Sequence, residues 1–125
     1  MPTKIKLIKA VEYLHISPDG EIDFEKSKQL LIEIAKSKKF PADYDLILDF
    51  RHVQFRLTTA DIYFLAAELL KHRDAFKNKI AVLFLPGANI EKAEFFELCS
   101  QNRGFNVDIF TNYEDAVDWL FESFK

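Results

Sequence analysis

Residues 46–70 read LILDFRHVQFRLTTADIYFLAAELL, and this stretch decides the fold. It begins within residues 44–50, whose nearly all-apolar centre is typical of a strand buried on both faces of a parallel sheet. The more polar residues 51–57 predict a loop, and the apolar periodicity of residues 59–73 predicts a helix. A short buried strand followed by a helix in this way is the repeating unit of an α/β sheet.

The start of that helix carries two signals. Thr58 is the predicted N-cap, and Asp61 three residues later completes a box in which each side chain accepts a hydrogen bond from the other residue's backbone. Leu57 and Ile62 are spaced to pack together as a hydrophobic staple. The helix is therefore expected to begin at Thr59.

The same unit recurs toward the C-terminus. Residues 79–85 and 106–110 are short apolar runs that predict two more buried strands. Asn89 is the expected N-cap of the helix between them, and Gly104 ends that helix because glycine tolerates the left-handed backbone found there. Asn112 opens a last helix. The predicted buried stripe of this last helix consists of Ala116, Val117, Leu120, Phe121 and Phe124.

The N-terminal third is less regular. Residues 4–17 alternate apolar and polar side chains imperfectly, which predicts either one long bent strand or two short antiparallel strands. A turn over residues 17–20 follows, and then a helix from the N-cap Asp23 to about Lys38. The whole order predicts an α/β fold with a mixed, largely parallel sheet of about five strands and four helices, formed by residues 1–125 as a single domain.

Composition and charge exclude several classes of function. The net charge is −3 and the basic residues are spread along the chain, which argues against nucleic acid as a partner. The longest apolar run, residues 80–85, is too short to span a bilayer, and residues 1–10 lack the apolar segment of a signal peptide. The only cysteine, Cys99, cannot form an internal disulfide. We therefore expect a cytoplasmic protein without stable membrane insertion.

Phenylalanine is the unusual feature of the composition, with 13 residues in the chain. Large aromatic side chains are mostly buried for packing, so one interpretation is a thick core. The other interpretation is an interior that opens to bind a small apolar or lipid-like ligand. The candidates to line such a pocket, in or beside the predicted strands and the second helix, are Phe50, Phe55, Phe64, Phe84 and Phe110.

Polar residues follow the strand predicted over residues 44–50. In open parallel sheets, ligands bind outside the carboxyl ends of the strands, which is where Asp49 is placed. Helices also begin there, and Arg51, His52 and Arg56 add positive charge to their anion-attracting N-termini. This pattern predicts a partner- or anion-binding loop. The alternatives are an ordinary solvated loop ahead of an N-cap, or an enzymatic cluster of Asp49, Arg51 and His52 that no motif supports.

Signatures of catalysis and of cofactor binding are missing from the sequence. Its 3 glycines form neither a dinucleotide-binding motif nor a phosphate-binding loop. His15, His52 and His72 lack the spacing of metal ligands. Cys99 lies toward the end of a predicted helix, where a thiolate is disfavoured. We therefore expect no enzyme, no metal and no cofactor.

Two stretches carry a family resemblance. Residues 46–70 resemble the strand, aspartate, short loop and hydroxyl-bearing helix start of the STAS superfamily, in particular of its SpoIIAA-like group, which is related to bacterial anti-anti-sigma factors. Residues 102–120, NRGFNVDIFTNYEDAVDWL, are similar to the endings of SpoIIAA-like sequences. The resemblance covers nearly the whole chain as an order of elements, and it implies a non-enzymatic module for regulation or protein interaction.

The resemblance also implies a phosphorylation site. Anti-anti-sigma factors carry an Asp-Ser-Ser-Gly motif at this helix start, and a partner kinase phosphorylates a serine of the motif. The four positions fall on Leu57, Thr58, Thr59 and Ala60, so Thr59 matches the phosphoacceptor while the aspartate and the glycine are absent. A phosphate on Thr59 would meet the positive end of the helix dipole. The alternative is a first-turn residue without a special role.

These interpretations lead to two expected functions. The first is a signalling module that docks a protein partner through residues 58–63, with Tyr63 as an aromatic anchor. The second is a binding protein for a small apolar ligand. A homodimer formed through an edge strand or a helix face is left open.

Overall fold

A mixed five-stranded sheet organises the protein in the computed structural model, which describes residues 3–8, 13–36, 44–85 and 90–122. In chain order the strands are β1 Thr3–Ile8, β2 Tyr13–Pro18, β3 Gly20–Asp23, β4 Asp45–Asp49, β5 Val53–Arg56, β6 Ile80–Leu83 and β7 Val107–Phe110. The main sheet has the order β1-β2-β4-β6-β7, with β1 antiparallel to β2 and the other neighbours parallel. The predicted sheet is confirmed, and residues 4–17 contribute two antiparallel strands rather than one bent strand.

Among the described residues, four α-helices cover this sheet. In chain order they are α1 Phe24–Lys36, α2 Thr59–Lys71, α3 Ile90–Gln101 and α4 Tyr113–Phe121. The chain steps across the sheet in one direction from β2 through β4 and β6 to β7. Because parallel crossovers share one hand, they place the connecting helices on the same face. Helices α1, α2 and α3 accordingly pack into the larger core cluster, whereas α4 packs into a second cluster.

The alternation of β4 shows that these two clusters lie on opposite faces. Leu46 and Leu48 belong to the larger cluster, and Ile47 between them belongs to the smaller one. Successive side chains of a strand point to opposite faces, so three helices cover one face and α4 covers the other. The central strands are buried on both sides, which explains their nearly all-apolar sequence.

The loop predicted over residues 51–57 is wrong in part, because it contains strand β5. This strand pairs in parallel with β3 as a separate two-stranded sheet, in which Ile22 lies opposite Phe55. Helix α1 therefore follows a strand rather than a turn, and Gly20 starts that strand with the positive φ of 84° that the preceding turn requires. Four-residue strands carry little periodicity, and each pairs with a partner remote in sequence, so no local pattern marked them.

The predicted start of α2 is confirmed in detail. The Thr58 backbone N–H donates to the Asp61 carboxylate at 2.9 Å, and the Asp61 backbone N–H donates to the Thr58 hydroxyl at 3.1 Å. Leu57 and Ile62, the predicted staple, are both buried. This end of the helix is thus held by polar and apolar contacts together.

Other predicted helix ends are also confirmed where the structure describes them. Asp23 and Asn112 each accept a hydrogen bond from the backbone N–H three residues further on, at 2.9 and 2.8 Å. Gly104 follows α3 with a φ of 91°, the left-handed conformation expected after a helix. The predicted cap Asn89 and the predicted helix end Lys38 lie outside the described residues.

The predicted stripe of α4 is confirmed for its inner residues. Ala116 and Leu120 are buried, and Val117 and Phe121 are half-buried. Phe124 lies outside the described residues. The helix therefore packs on the sheet through the side that its periodicity indicated.

Candidate functional site

The carboxyl ends of β2, β4 and β6 meet along one side of the main sheet, called the carboxyl edge below. Strand β4 ends at Asp49, with Phe50 after it, and β6 ends at Leu83, with Phe84 after it. Alternate residues face opposite sides. The carboxyl edge therefore presents a polar cluster on the α4 face and an apolar cavity on the face covered by α1, α2 and α3.

Asp49 is the centre of the polar cluster and is only 2% exposed. Its carboxylate accepts hydrogen bonds from Nε and Nη2 of Arg51, at 2.9 and 2.7 Å, and from the Arg51 backbone N–H at 3.2 Å. Nε2 of His15, on the neighbouring strand β2, lies 3.0 Å from the same carboxylate. A two-pronged arginine contact of this kind is strong and geometrically specific, so it fixes the Asp49 carboxylate at the end of β4. The His15 contact joins this carboxylate to β2.

The surroundings of Asp49 keep its carboxyl group ionised. Burial by itself raises the pKa of Asp49, but the hydrogen bonds from Arg51 and His15 outweigh burial and lower the pKa to about 2. The same contact raises the pKa of Arg51. The charges of Asp49 and Arg51 therefore offset each other. Anion binding by Arg51 stays a prediction. An anion that binds there has to compete with the Asp49 carboxylate for the Arg51 guanidinium.

Two tyrosines lie beside this cluster. The hydroxyl groups of Tyr13 and Tyr113 are hydrogen bonded to each other, and the Tyr113 ring lies 5.4 Å from the His15 ring, centre to centre. Burial and the hydrogen bond to Tyr113 raise the pKa of Tyr13. This face thus holds two hydrogen-bonded groups, the tyrosine pair and the Asp49 cluster, which meet through the rings of Tyr113 and His15.

The remaining residues of the predicted loop lie nearer the surface. His52 and Thr59 are exposed, and Arg56 forms an exposed ion pair of 2.8 Å with Glu21 across the small sheet. The Thr58 hydroxyl is occupied by its cap, whereas Thr59 stands in the first turn of α2. Among the described contacts, these residues do not join the polar cluster around Asp49. The residues of the predicted loop therefore lie in several separate local environments.

Tyr63 is exposed, as an anchor residue requires, with 47% of its surface accessible. Its ring meets that of Phe64 edge-on at 5.7 Å, and Phe64 is 57% exposed. The guanidinium of Arg103 lies 4.7 Å from the centre of the Tyr63 ring. Aromatic residues and arginine are enriched where proteins bind one another. We call Tyr63, Phe64 and Arg103 the aromatic surface.

An apolar cavity of about 200 Å³ lies between the sheet and α1, α2 and α3. The main sheet, β5 and all three helices contribute to its walls, through residues that include Leu30, Leu48, Val53, Ile62, Leu65 and Ala93. Protein interiors rarely contain voids larger than a water molecule. An apolar cavity of about 150 Å³ is already sufficient to hold benzene, so this cavity has room for a small organic molecule.

Three phenylalanines form the wall of the cavity at the carboxyl edge. The rings of Phe50, Phe55 and Phe84 lie 5.0 to 6.0 Å apart, centre to centre, and all three line the cavity. The other two phenylalanines predicted for such a pocket do not line it. Phe64 is exposed on α2, and Phe110 packs against α4 because the alternation of β7 turns it to the opposite face.

Among the described residues that line the cavity, Ser27 and Lys92 have polar side chains. Lys92 is half-buried in the first turn of α3, and its Nζ donates a hydrogen bond to the backbone carbonyl of Leu57, just before α2. Within the parts of the chain that the structure describes, no carboxylate forms an ion pair with this ammonium. Leu85, also in the lining, is 53% exposed, so the cavity reaches the surface.

No three His, Cys, Asp or Glu side chains stand together as a metal site would require in the described residues. His72 instead contacts the Glu68 carboxylate at 3.2 Å, and Cys99 is a buried thiol. None of the helices in the described ranges is long and apolar enough to cross a membrane.

Solved structures with the same arrangement of elements confirm the predicted fold. An uncharacterised protein of the DUF3478 family with a SpoIIAA-like fold, from Shewanella loihica PV-4, has a TM-score of 0.62 at 21% identity, and the match covers 95% of this chain and 92% of that one. The chain has a SpoIIAA-like fold. The anti-sigma factor antagonist SpoIIAA in its unphosphorylated form has a TM-score of 0.56 at 16% identity, covering 97% of this chain and 99% of that one. No family model matches the sequence, and no curated protein is significantly similar to it.

Sequence reasoning missed three residues that the structure places at these sites. His15 joins Asp49 across two strands, and Arg103, in the turn after α3, lies on Tyr63 of α2, so both contacts are remote in sequence. Lys92 had a local signal, because a cation in the first turn of a helix opposes the helix dipole. Such a placement gives the helix no stabilisation from its dipole.

Proposed function

We propose that this chain is a non-catalytic, single-domain signalling module that binds a protein partner through the start and the exposed side of α2. The observation that carries the proposal is the aromatic surface, because exposed aromatic rings beside an arginine are the residues that dominate binding energy in protein interfaces. The similar fold of an anti-sigma factor antagonist supports a role in protein interaction.

Thr59 is the phosphoacceptor in this proposal. Its side chain is exposed in the first turn of α2, while the neighbouring Thr58 hydroxyl is held in the helix cap. A phosphate there would gain from the positive end of the helix dipole and would place about two negative charges beside the aromatic surface. Phosphorylation is therefore expected to weaken the binding of a partner.

Capture of partners from cells that express the protein tests this function. Replacing both Tyr63 and Phe64 by alanine is expected to abolish capture of the proteins that the wild-type chain retains. Leu70→Ala is the matched control, because Leu70 is also exposed on α2 but lies two turns further along the helix. If the double variant still captures the same proteins, the aromatic surface is not the binding site.

The phosphorylation step has its own test. Thr59→Asp places a negative charge at the site and is expected to reduce capture, whereas the matched variant Thr59→Val is expected to retain it. Equal capture by both variants would contradict the switch without contradicting the aromatic surface.

A second candidate function is the binding of a small apolar ligand, and the cavity supports it. The cavity of about 200 Å³ is open to the surface, and three phenylalanine rings wall it at the carboxyl edge, where parallel sheets commonly bind ligands. Native mass spectrometry of freshly purified protein is expected to show the added mass of a small organic molecule. A spectrum with the unliganded mass alone would count against this function.

A further inference from the structure

We propose that the cavity takes an amphipathic anion, a carboxylate with a chain of about eight carbon atoms, whose apolar tail lies in the cavity and whose carboxylate contacts the ammonium of Lys92. The inference rests on the second proposed function and adds the chemical class of the ligand.

The size of the cavity sets the length of the tail. A cavity of about 150 Å³ holds benzene, a molecule of six carbon atoms, so in proportion about 200 Å³ holds about eight. The buried part of the lining includes Leu30, Leu31, Leu48, Leu65 and Val82. A hydrocarbon tail keeps favourable contacts with these side chains, whereas a polar group placed among them would lose its hydration without compensation.

The surroundings of Lys92 favour an anionic head group. One N–H of its ammonium is used by the Leu57 carbonyl, and an ammonium has three N–H donors. The contact with a neutral carbonyl leaves the positive charge without a carboxylate partner among the described residues. The position in the first turn of α3 adds the unfavourable end of the helix dipole, which an anion bound at Lys92 would offset.

The cavity and the charge are parts of one site. Lys92 belongs to the lining together with Leu85, which is exposed, and with the buried aliphatic residues. An elongated ligand can therefore place its tail among buried side chains and its head group near solvent. A charged head group at that end keeps part of its hydration, so the ion pair does not carry the full cost of burial.

Titration calorimetry with octanoate and 1-octanol, both below the concentrations at which they aggregate, tests the head group. Octanoate is expected to bind the wild-type chain about tenfold more tightly than 1-octanol, since a charge-assisted hydrogen bond adds about that factor. Lys92→Met keeps a long apolar side chain and is expected to lower the affinity for octanoate about tenfold while leaving that for 1-octanol unchanged. Lys77→Met, which removes an exposed lysine and the same net charge, is the matched control.

The cavity itself is tested by Ala93→Leu, which fills part of the lining and is expected to weaken both ligands equally. Thermal melting checks that each variant is folded. If octanoate binds wild type and Lys92→Met equally well, the carboxylate-to-lysine inference is wrong and the second proposed function stands. If neither probe binds the folded wild-type chain, both the inference and the second proposed function are wrong.

Discussion

At the carboxyl edge, the charged side chains on the two faces of the sheet have different kinds of partner. On the α4 face, Asp49 is buried against Arg51 and His15, and the charge is paired internally. On the other face, a cavity is bordered by Lys92, whose ammonium has a backbone carbonyl as its partner. Removing one partner from a buried ion pair destabilises a fold, whereas an open apolar cavity leaves its lining side chains with fewer packing contacts. The first face is therefore held by internal contacts, whereas the second face carries the proposed ligand site.

Replacing Asp49 tests the paired face and has the largest expected effect. Asp49→Asn keeps the volume but removes the negative charge, so Arg51 loses its ionic partner. Removing one member of a buried ion pair is strongly destabilising, and we expect the free energy of unfolding in urea to fall by about 3 kcal/mol.

The matched control for that change is Asp45→Asn, at the start of the same strand. Asp45 accepts a hydrogen bond from the Lys79 backbone N–H at 3.1 Å, which an amide oxygen can also accept. Burial raises the pKa of Asp45, so loss of its charge is less costly than at Asp49. Equal losses in the two variants would show that the Asp49 ion pair has no special role.

The dependence of stability on pH in acid also tests the Asp49 ion pair. The pKa of Asp49 falls from 3.8 to about 2 in the folded chain, so its contribution is present above pH 4 and is lost as the pH falls toward 2. We expect this loss to be about 1 to 2 kcal/mol, because solvent partly screens the Arg51 side of the pair. Denaturation curves between pH 5 and pH 2 should show it in wild type. The same fall in Asp49→Asn would assign it to other carboxylates.

Glu97 tests whether a carboxyl group that lies near other carboxylates changes stability with pH in the opposite direction to Asp49, which lies near an arginine. Burial, a hydrogen bond with Asp108 and repulsion from neighbouring carboxylates together raise the pKa of Glu97 from 4.5 to about 7, although a hydrogen bond from the Ile109 backbone lowers it. The folded state therefore holds the proton more tightly, and this contribution to stability is lost as the pH rises from 4.5 through 7. Glu97→Gln should raise the free energy of unfolding by about 1 kcal/mol at pH 8, after discounting for solvent screening, and change little at pH 4. Glu91→Gln, exposed on the same helix, should show no gain.

Replacing Lys92 is the change with the smallest expected effect on stability. Its ammonium has no carboxylate partner among the described residues, so Lys92→Met should change the free energy of unfolding by less than about 0.5 kcal/mol. Arg51→Met, on the paired face, should cost about 2 kcal/mol, because it leaves the Asp49 carboxylate buried without its strongest donor. A large fall in the free energy of unfolding of Lys92→Met would show that Lys92 stabilises the fold. The charged side chains on the two faces would then have the same role.

Local patterns predicted most of the fold but only part of the candidate site. The apolar centre of β4 and the box of Thr58 and Asp61 were readable because both depend on residues within a few positions of one another. The small sheet of β3 and β5 was not predicted, since its strands are short and are separated in the chain by a helix and another strand. The contact of His15 with Asp49 was not predicted either, because these residues are 34 positions apart in the chain.

The sequence by itself determined the order of the helices and of the parallel strands of the main sheet, the starts of α1, α2 and α4, and the absence of familiar catalytic motifs, because periodicity and capping are local properties of the chain. Only the tertiary structure decided which charges are paired, which phenylalanines share a cavity and which lie on the surface. Phe84 and Phe110 both lie at the ends of apolar strands, yet one lines the cavity and the other packs against α4. That difference depends on the face to which each side chain points and on the helices that cover it, and both are set by the packing of the whole sheet.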